Sequence, residues 1–227
     1  KNVIDHAKHD TDRVKAYKKW DDLIYISDPN LDLILNQKLD SICRINLQKK
    51  LHLKEKQFFK LYRGIANTNF GIISRMNGNL DKAFNHYLLS SSIYRDLNKK
   101  IDEGRSYNNI GNLLYQKGNY KKAIEYYLKA KKIFDKSGIF KLAASSTSNL
   151  ASIYFQLDDF EKSLEYYNEC LEIDIKLNDQ NGIASSYYNI GNIYREKKYI
   201  SIALEFYFKS KDLFDQIKNN NHKTILA

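Results

Sequence analysis

The sequence predicts an all-α protein, a solenoid of four 40-residue helix hairpins preceded by a degenerate helical hairpin. Three observations carry this expectation. The 227 residues hold 9 Gly and a single Pro, Pro29, against 43% hydrophobic and 13% aromatic side chains, so there is apolar surface for a core and little to interrupt helices. Asn69-Phe70-Gly71, Asn109-Ile110-Gly111, Asn149-Leu150-Ala151 and Asn189-Ile190-Gly191 recur every 40 residues without slippage. Three further sets keep that register: Ala83, Ala123, Ser163 and Ala203; Tyr87, Tyr127, Tyr167 and Tyr207; Ser90, Ala130, Cys170 and Ser210. A fixed period of this size is the signature of stacked supersecondary units.

Composition removes several classes. Disorder and collagen do not fit the apolar, aromatic, Gly and Pro contents. No apolar run reaches the ~18 residues of a membrane span, so no membrane insertion is expected. The chain starts at Lys1 without Met or an apolar signal region, and reads as a soluble piece, processed or cut from a longer protein. Net charge is +10, spread as +4 over residues 1–60 and +6 over the rest, with no basic arm, so no nucleic-acid partner is expected. Cys43 and Cys170 are too few and too far apart for a disulfide scaffold or a zinc knuckle.

Residues 1–59 read as a helical capping region. A helix is expected to end near Ile26. Asp28 and Pro29 then form an N-cap and first turn, and Leu31, Ile34, Leu35, Leu39 and Ile42 follow at helical spacing. Four hairpins follow at about 60–98, 99–138, 139–178 and 179–218. Their internal turns fall at Met76 to Asn79, Gln116 to Asn119, Gln156 to Asp159 and Glu196 to Tyr199, where breakers gather in three of the four. Asn219-Asn220-Asn221 is similar to the inter-hairpin turn at Asn178-Asp179-Gln180-Asn181, so residues 219–227 are expected to start a truncated further helix. Small residues at 71, 111, 151 and 191 should let antiparallel helices approach closely, with the tyrosines filling the gap to the next hairpin.

Tyr107, Ile110, Gly111, Leu114, Ala123, Tyr127 and Ala130 occur in the order of the tetratricopeptide repeat pattern, and Tyr187, Ile190, Gly191, Tyr194, Ala203, Tyr207 and Ser210 do so again. The chain therefore resembles tetratricopeptide repeat proteins, departing in its longer period and in the missing Pro at each repeat end. Asp10-Thr11-Asp12-Arg13-Val14 and Ser27-Asp28-Pro29 also resemble the start of the repeat region in membrane-bound sensor histidine kinases and related regulators of Bacteroidetes-type bacteria. The resemblance implies a non-enzymatic, ligand-binding sensor segment of a two-component kinase, in a periplasmic or extracytoplasmic setting. A cytoplasmic scaffold or peptide-responsive transcription regulator is the alternative, and a basic solenoid that binds nucleic acid ranks after both.

With the Gly or Ala of each copy numbered 8, about 100° per residue places positions 4, 7, 8 and 11 on one helix face and 2, 5, 6, 9, 12 and 13 on the opposite one. The first set should pack. The second should line the groove that this family uses for extended peptides. Position 6 is Asn in every copy: Asn69, Asn109, Asn149 and Asn189. Asn costs a few tenths of a kcal/mol inside a helix, while its carboxamide offers the donor and acceptor that a peptide backbone requires. An asparagine ladder of this kind resembles those that hold a peptide main chain in kinesin light chains and bacterial peptide sensors; bonding between adjacent helices is the other role open to it. Asn108, Asn112, Asn192, Tyr115, Phe155 and Tyr188 neighbour the ladder, with Arg75, Arg105 and Arg195 for a carboxylate. Thr68 with Ile72, Asn108 with Asn112, Ser148 with Ser152 and Tyr188 with Asn192 do not match the chaperone-binding carboxylate clamp. Homodimers through the terminal repeats are expected.

The sharper chemical signals reduce to structure. His6 and His9 are three apart but lack facing carboxylates, so no metal is expected. Cys170 stands at a small-residue packing position. No phosphate loop, nucleophile elbow or kinase signature occurs, and no catalytic constellation or cofactor is expected.

Overall fold

The computed structural model describes residues 9–24 and 28–225, so Ile26, Ser27, His6 and the terminal Leu226 and Ala227 lie outside the described residues. Among the described residues there are ten helices and no strand: α1 Asp10–Ile24, α2 Pro29–Leu47, α3 Leu53–Met76, α4 Leu80–Asp96, α5 Lys100–Gln116, α6 Tyr120–Lys136, α7 Phe140–Gln156, α8 Phe160–Lys176, α9 Gln180–Glu196 and α10 Ile200–Ile225. The chain forms two compact units, Lys1–Lys117 and Gly118–Ala227. Among the described residues no helix is long and apolar enough to cross a membrane.

Helix boundaries follow from capping. Asp28 accepts a hydrogen bond from the Leu31 N–H, with Pro29 in the first turn of α2, as the sequence suggests. Asn79, Asn119 and Asp159 cap α4, α6 and α8 in the same way, each accepting from the backbone N–H three residues on. Helices α3 to α9 each end with one residue in the left-handed region: Gly78, Asn98, Gly118, Gly138, Asp158, Asn178 and Lys198. Beyond most of these, an N–H returns to a carbonyl five residues back, as from Asn79 to Ser74 at 2.8 Å and from Tyr199 to Tyr194 at 2.9 Å. These are Schellman closures, which satisfy carbonyls that the helix end would orphan.

In the first unit, α1 and α2 pack as a hairpin against α3. Val14, Leu39, Cys43, Phe59 and Ala66 form its buried core. Helix α3 begins at Leu53, earlier than the expected boundary near residue 60, because a capping box between His52 and Glu55 starts it there. In α3 and α4, Gly71 meets the Tyr87 ring: a Cβ on Gly71 would stand 2.6 Å from Tyr87 Cδ1. The second unit repeats the device, with a Cβ on Gly191 falling 2.8 Å from Tyr207 Cε1. The tyrosines thus fill their own hairpin's crossing, which corrects the expectation that they bridge to the next. The Tyr167 hydroxyl lies 2.9 Å from Ser152 Oγ, and the Tyr207 hydroxyl donates to Asn192 Oδ1 at 2.8 Å. These bonds satisfy the polar end of a ring whose body is largely buried.

Helix α10 passes unbroken through Asn219, Asn220 and Asn221, where the sequence suggests a turn. Asn disfavours helix by only a fraction of a kcal/mol, and no Gly or Pro stands there to stop it.

Candidate functional site

The face assignment holds in the second hairpin, where Tyr107, Ile110, Gly111 and Leu114 are buried, Arg105, Asn112 and Gln116 are exposed, and Asn108, Asn109 and Tyr115 are half-buried. Within the first unit, however, the asparagine at position 6 has two fates. Asn69 donates to Asp21 Oδ2 at 2.9 Å and to Asn36 Oδ1 at 3.0 Å, so it ties α3 to the terminal hairpin and is not free for a ligand. Asn36 in turn donates to Asp21 Oδ1 and Asp32 Oδ1, both at 2.6 Å. Asn109 makes no side-chain hydrogen bond among the described residues. Arg75 and Arg105 are exposed.

In the second unit, Asn149 on α7 and Asn189 on α9 line one cavity of about 230 Å³, with Ser145, Ser148 and Ser185 beside them. Helical spacing explains this: positions 2, 5 and 6 of the first helix in each hairpin face the same side. The end of α8 contributes Cys170 and Asp174. Asn189 has no side-chain hydrogen bond among the described residues. Its carboxamide is therefore available to a ligand.

Three expected groove residues do other work. Phe155 packs beside the core formed by Ala151, Tyr167, Ile190 and Ile193, with its ring 5.8 Å from Phe160. It lies across the hairpin turn from Phe160, and the tight reversal folds position 12 inward. Asn192 has its oxygen occupied by Tyr207. Arg195 pairs with its neighbour Glu196 at 2.8 Å. Arg195 and Tyr188 line a different, apolar cavity of about 640 Å³ with Leu204, Tyr207, Phe208 and Phe214.

Sequence reasoning missed the buried acids. Glu103, 4% exposed, accepts from Arg95 Nε at 2.9 Å, from Lys100 at 3.1 Å and from the Tyr107 hydroxyl at 3.0 Å. Burial opposes its charge, but these bonds outweigh it and hold the carboxyl below its ordinary range. Asp174, 7% exposed, is shifted the other way, chiefly by burial and then by neighbouring Asp179. The register itself held the signal for Asp174, since it breaks the series Tyr94, Phe134, Asp174, Phe214. The thiols are inert: burial pushes Cys43 up to about 12 and also raises Cys170, whose Sγ donates to the Ala144 carbonyl at 3.3 Å. No group of three or more metal-ligating side chains gathers among the described residues.

Residues 62–136 and 142–216 match the tetratricopeptide repeat family. The chain belongs to that family. No curated protein matches this tetratricopeptide repeat chain in sequence. Among solved structures, BtubC (BKLC) from P. vanneervenii is similar, at 16% identity and a TM-score of 0.69 over 96% of this chain and 91% of that one. A STAND protein with a tetratricopeptide repeat sensor from Pyrococcus horikoshii is 17% identical, with a TM-score of 0.70 over 94% of this chain and 34% of that one, so this chain spans about a third of it. A Rap protein complexed with Competence and Sporulation Factor is 15% identical, with a TM-score of 0.59 over 91% of this chain and 66% of that one. At such identities the likeness is one of fold.

Proposed function

We propose that this tetratricopeptide repeat chain is a non-enzymatic module that binds an extended peptide segment of a partner on the exposed face of its first helices. The observation that carries the reading is the pair Asn149 and Asn189, which open onto one polar cavity with hydroxyls on either side. A peptide backbone presents alternating donors and acceptors, and the Asn189 carboxamide, which has no side-chain hydrogen bond among the described residues, can answer both. The likeness in fold to a Rap protein complexed with Competence and Sporulation Factor supports a binding role. The test is a peptide-display selection against the chain, followed by affinity measurement for the double variant Asn149→Ala/Asn189→Ala. Each lost carboxamide removes hydrogen bonds worth about 0.5–1.5 kcal/mol, so selected peptides should bind roughly ten- to a hundredfold more weakly. Unchanged affinity, or binding abolished by added salt alone, would sink the reading.

The finer assignment, a sensor segment of a histidine kinase, rests on the resemblance of Asp10 to Val14 and of Ser27-Asp28-Pro29 to that group's repeat region. A gene that encodes no kinase domain after Ala227 would exclude it.

A further inference from the structure

Position 174 departs from its own register. Its counterparts Tyr94 and Phe134 are buried aromatic rings. In the third hairpin the place is taken by a carboxylate more than nine-tenths buried. The chain makes room for it with a second departure, Gly182, where the other copies carry Tyr62, Asp102 and Leu142. A Cβ at 182 would stand 2.6 Å from both Asp174 oxygens. The acid is thus fitted between α8 and the first turn of α9.

That carboxylate is not satisfied from within. Among the described residues its one hydrogen bond comes from Ser186 Oγ to Oδ2 at 3.5 Å, the outer limit for such a bond, and Oδ1 receives none. The nearest cation, Lys141, is held by Asp179 at 2.8 Å. A buried carboxylate with open acceptor sites is costly, and burial accordingly raises its proton affinity. Yet Asp174 does not face a sealed core. It lines the 230 Å³ cavity that holds Asn149 and Asn189, a space several times the ~30 Å³ of one water molecule.

We propose that Asp174 and the hydroxyls and carboxamides around it form a pocket for a cationic nitrogen, the guanidinium or ammonium of a basic side chain in the bound peptide. The proposal rests on the peptide reading above, and adds to it a chemical preference. Asn149 and Asn189 take the main chain at the cavity mouth, while Asp174 takes the charge beyond it. A desolvated carboxylate prefers a charged donor to a neutral one, because a charge-assisted bond is about twice as strong.

The test begins with small probes on the intact chain. Amide shifts in an isotope-labelled sample are followed during titration with N-acetyl-argininamide, n-butylammonium and the neutral isostere N-acetyl-citrullinamide. The expected result is saturable shifts at Asn149, Gly182, Ser186 and Asn189 with both cations, at least tenfold weaker with the citrulline analogue, and lost in Asp174→Asn. Equal titration by the neutral analogue in the unaltered chain, or no saturable shift with either cation, overturns the pocket without reliance on any variant. Retention of cation binding in a folded Asp174→Asn, or in Asp174→Phe, which restores the aromatic register, overturns it as well. Selected peptides separate the two proposals. If peptides bind but replacing their basic residues by Ala changes affinity less than threefold, the pocket is wrong and the groove stands. If no peptide binds while the small cations still saturate these sites, the groove is wrong and the cation pocket stands.

Discussion

At the scale of single residues, one turn and one acid carry the clearest consequences. Lys198 holds φ at +66°, in a region where an L side chain without local compensation costs about 1–2 kcal/mol. Asn98, Asp158 and Asn178 hold the same conformation more cheaply, since short polar side chains tolerate it. Lys198→Gly should therefore raise the denaturant midpoint by an amount equal to about 1 kcal/mol, whereas Asn178→Gly should gain less. Asp32 is raised to about 7, first by burial and then by the hydrogen bond and charge of Asp21, with Lys18 opposing. An acid whose folded value lies above its unfolded one binds its proton more tightly in the native state, so its contribution is full below about pH 4 and is lost as pH rises to about 7. Asp32→Asn should remove that loss. Its thermal midpoint should exceed that of the unaltered chain at pH 8, with the gap narrowing at pH 5.

Among the elements, α5 is anchored to α4 by an ion pair that the repeat pattern does not encode. Arg95 reaches from α4 to Glu103, and its guanidinium also donates to Tyr107, whose hydroxyl in turn donates to Glu103. Hydrogen bonds to charged groups contribute about 1.5–3 kcal/mol, so Glu103→Gln should lower stability by about 2 kcal/mol. Its cost should shrink in acid, because a depressed carboxyl gives stability that disappears as pH falls through its folded value. Denaturant melts at two pH values test both points. What the sequence reveals about such elements depends on range. The Gly71 to Tyr87 and Gly191 to Tyr207 crossings lie within one hairpin, and their fixed spacing makes them readable. The caps Asn79, Asn119 and Asp159 are more local still. Asn69, by contrast, owes its role to Asp21, 48 positions away, and nothing in the 40-residue period announces that partner. Phe155 shows the other failure. A fixed 100° step assigns it to the groove, while the turn before Phe160 leaves it half-buried against the core. For Asp174 and Gly182 the period was informative through its violations.

The whole molecule carries an uncovered face on its last hairpin. Leu204 is 48% exposed, Phe208 61% and Phe214 43%. Their counterparts in the preceding hairpin are Leu164, half-buried, Asn168, exposed, and Asp174, buried, so it is at the places of Leu204 and Phe214 that a following hairpin gives cover. Solenoids need polar caps to stay apart, so this face is expected to pair with that of a second copy. Light scattering should show a concentration-dependent dimer that Phe214→Glu returns to monomer; an unaltered chain that stays monomeric at high concentration contradicts the pairing.

Within each unit the principal contacts join helices that are neighbours in sequence, and most of helices α3 to α9 are closed at their ends by their own Schellman bonds. A pulling force applied to the termini therefore meets a series of similar small clamps in place of one large one. Under tension the chain should yield a hairpin at a time, each releasing 40 residues, or roughly 13 nm of contour at ~3.3 Å per residue. Such a chain acts as a spring with discrete stops, extending by countable lengths while the hairpins still folded keep their surfaces intact.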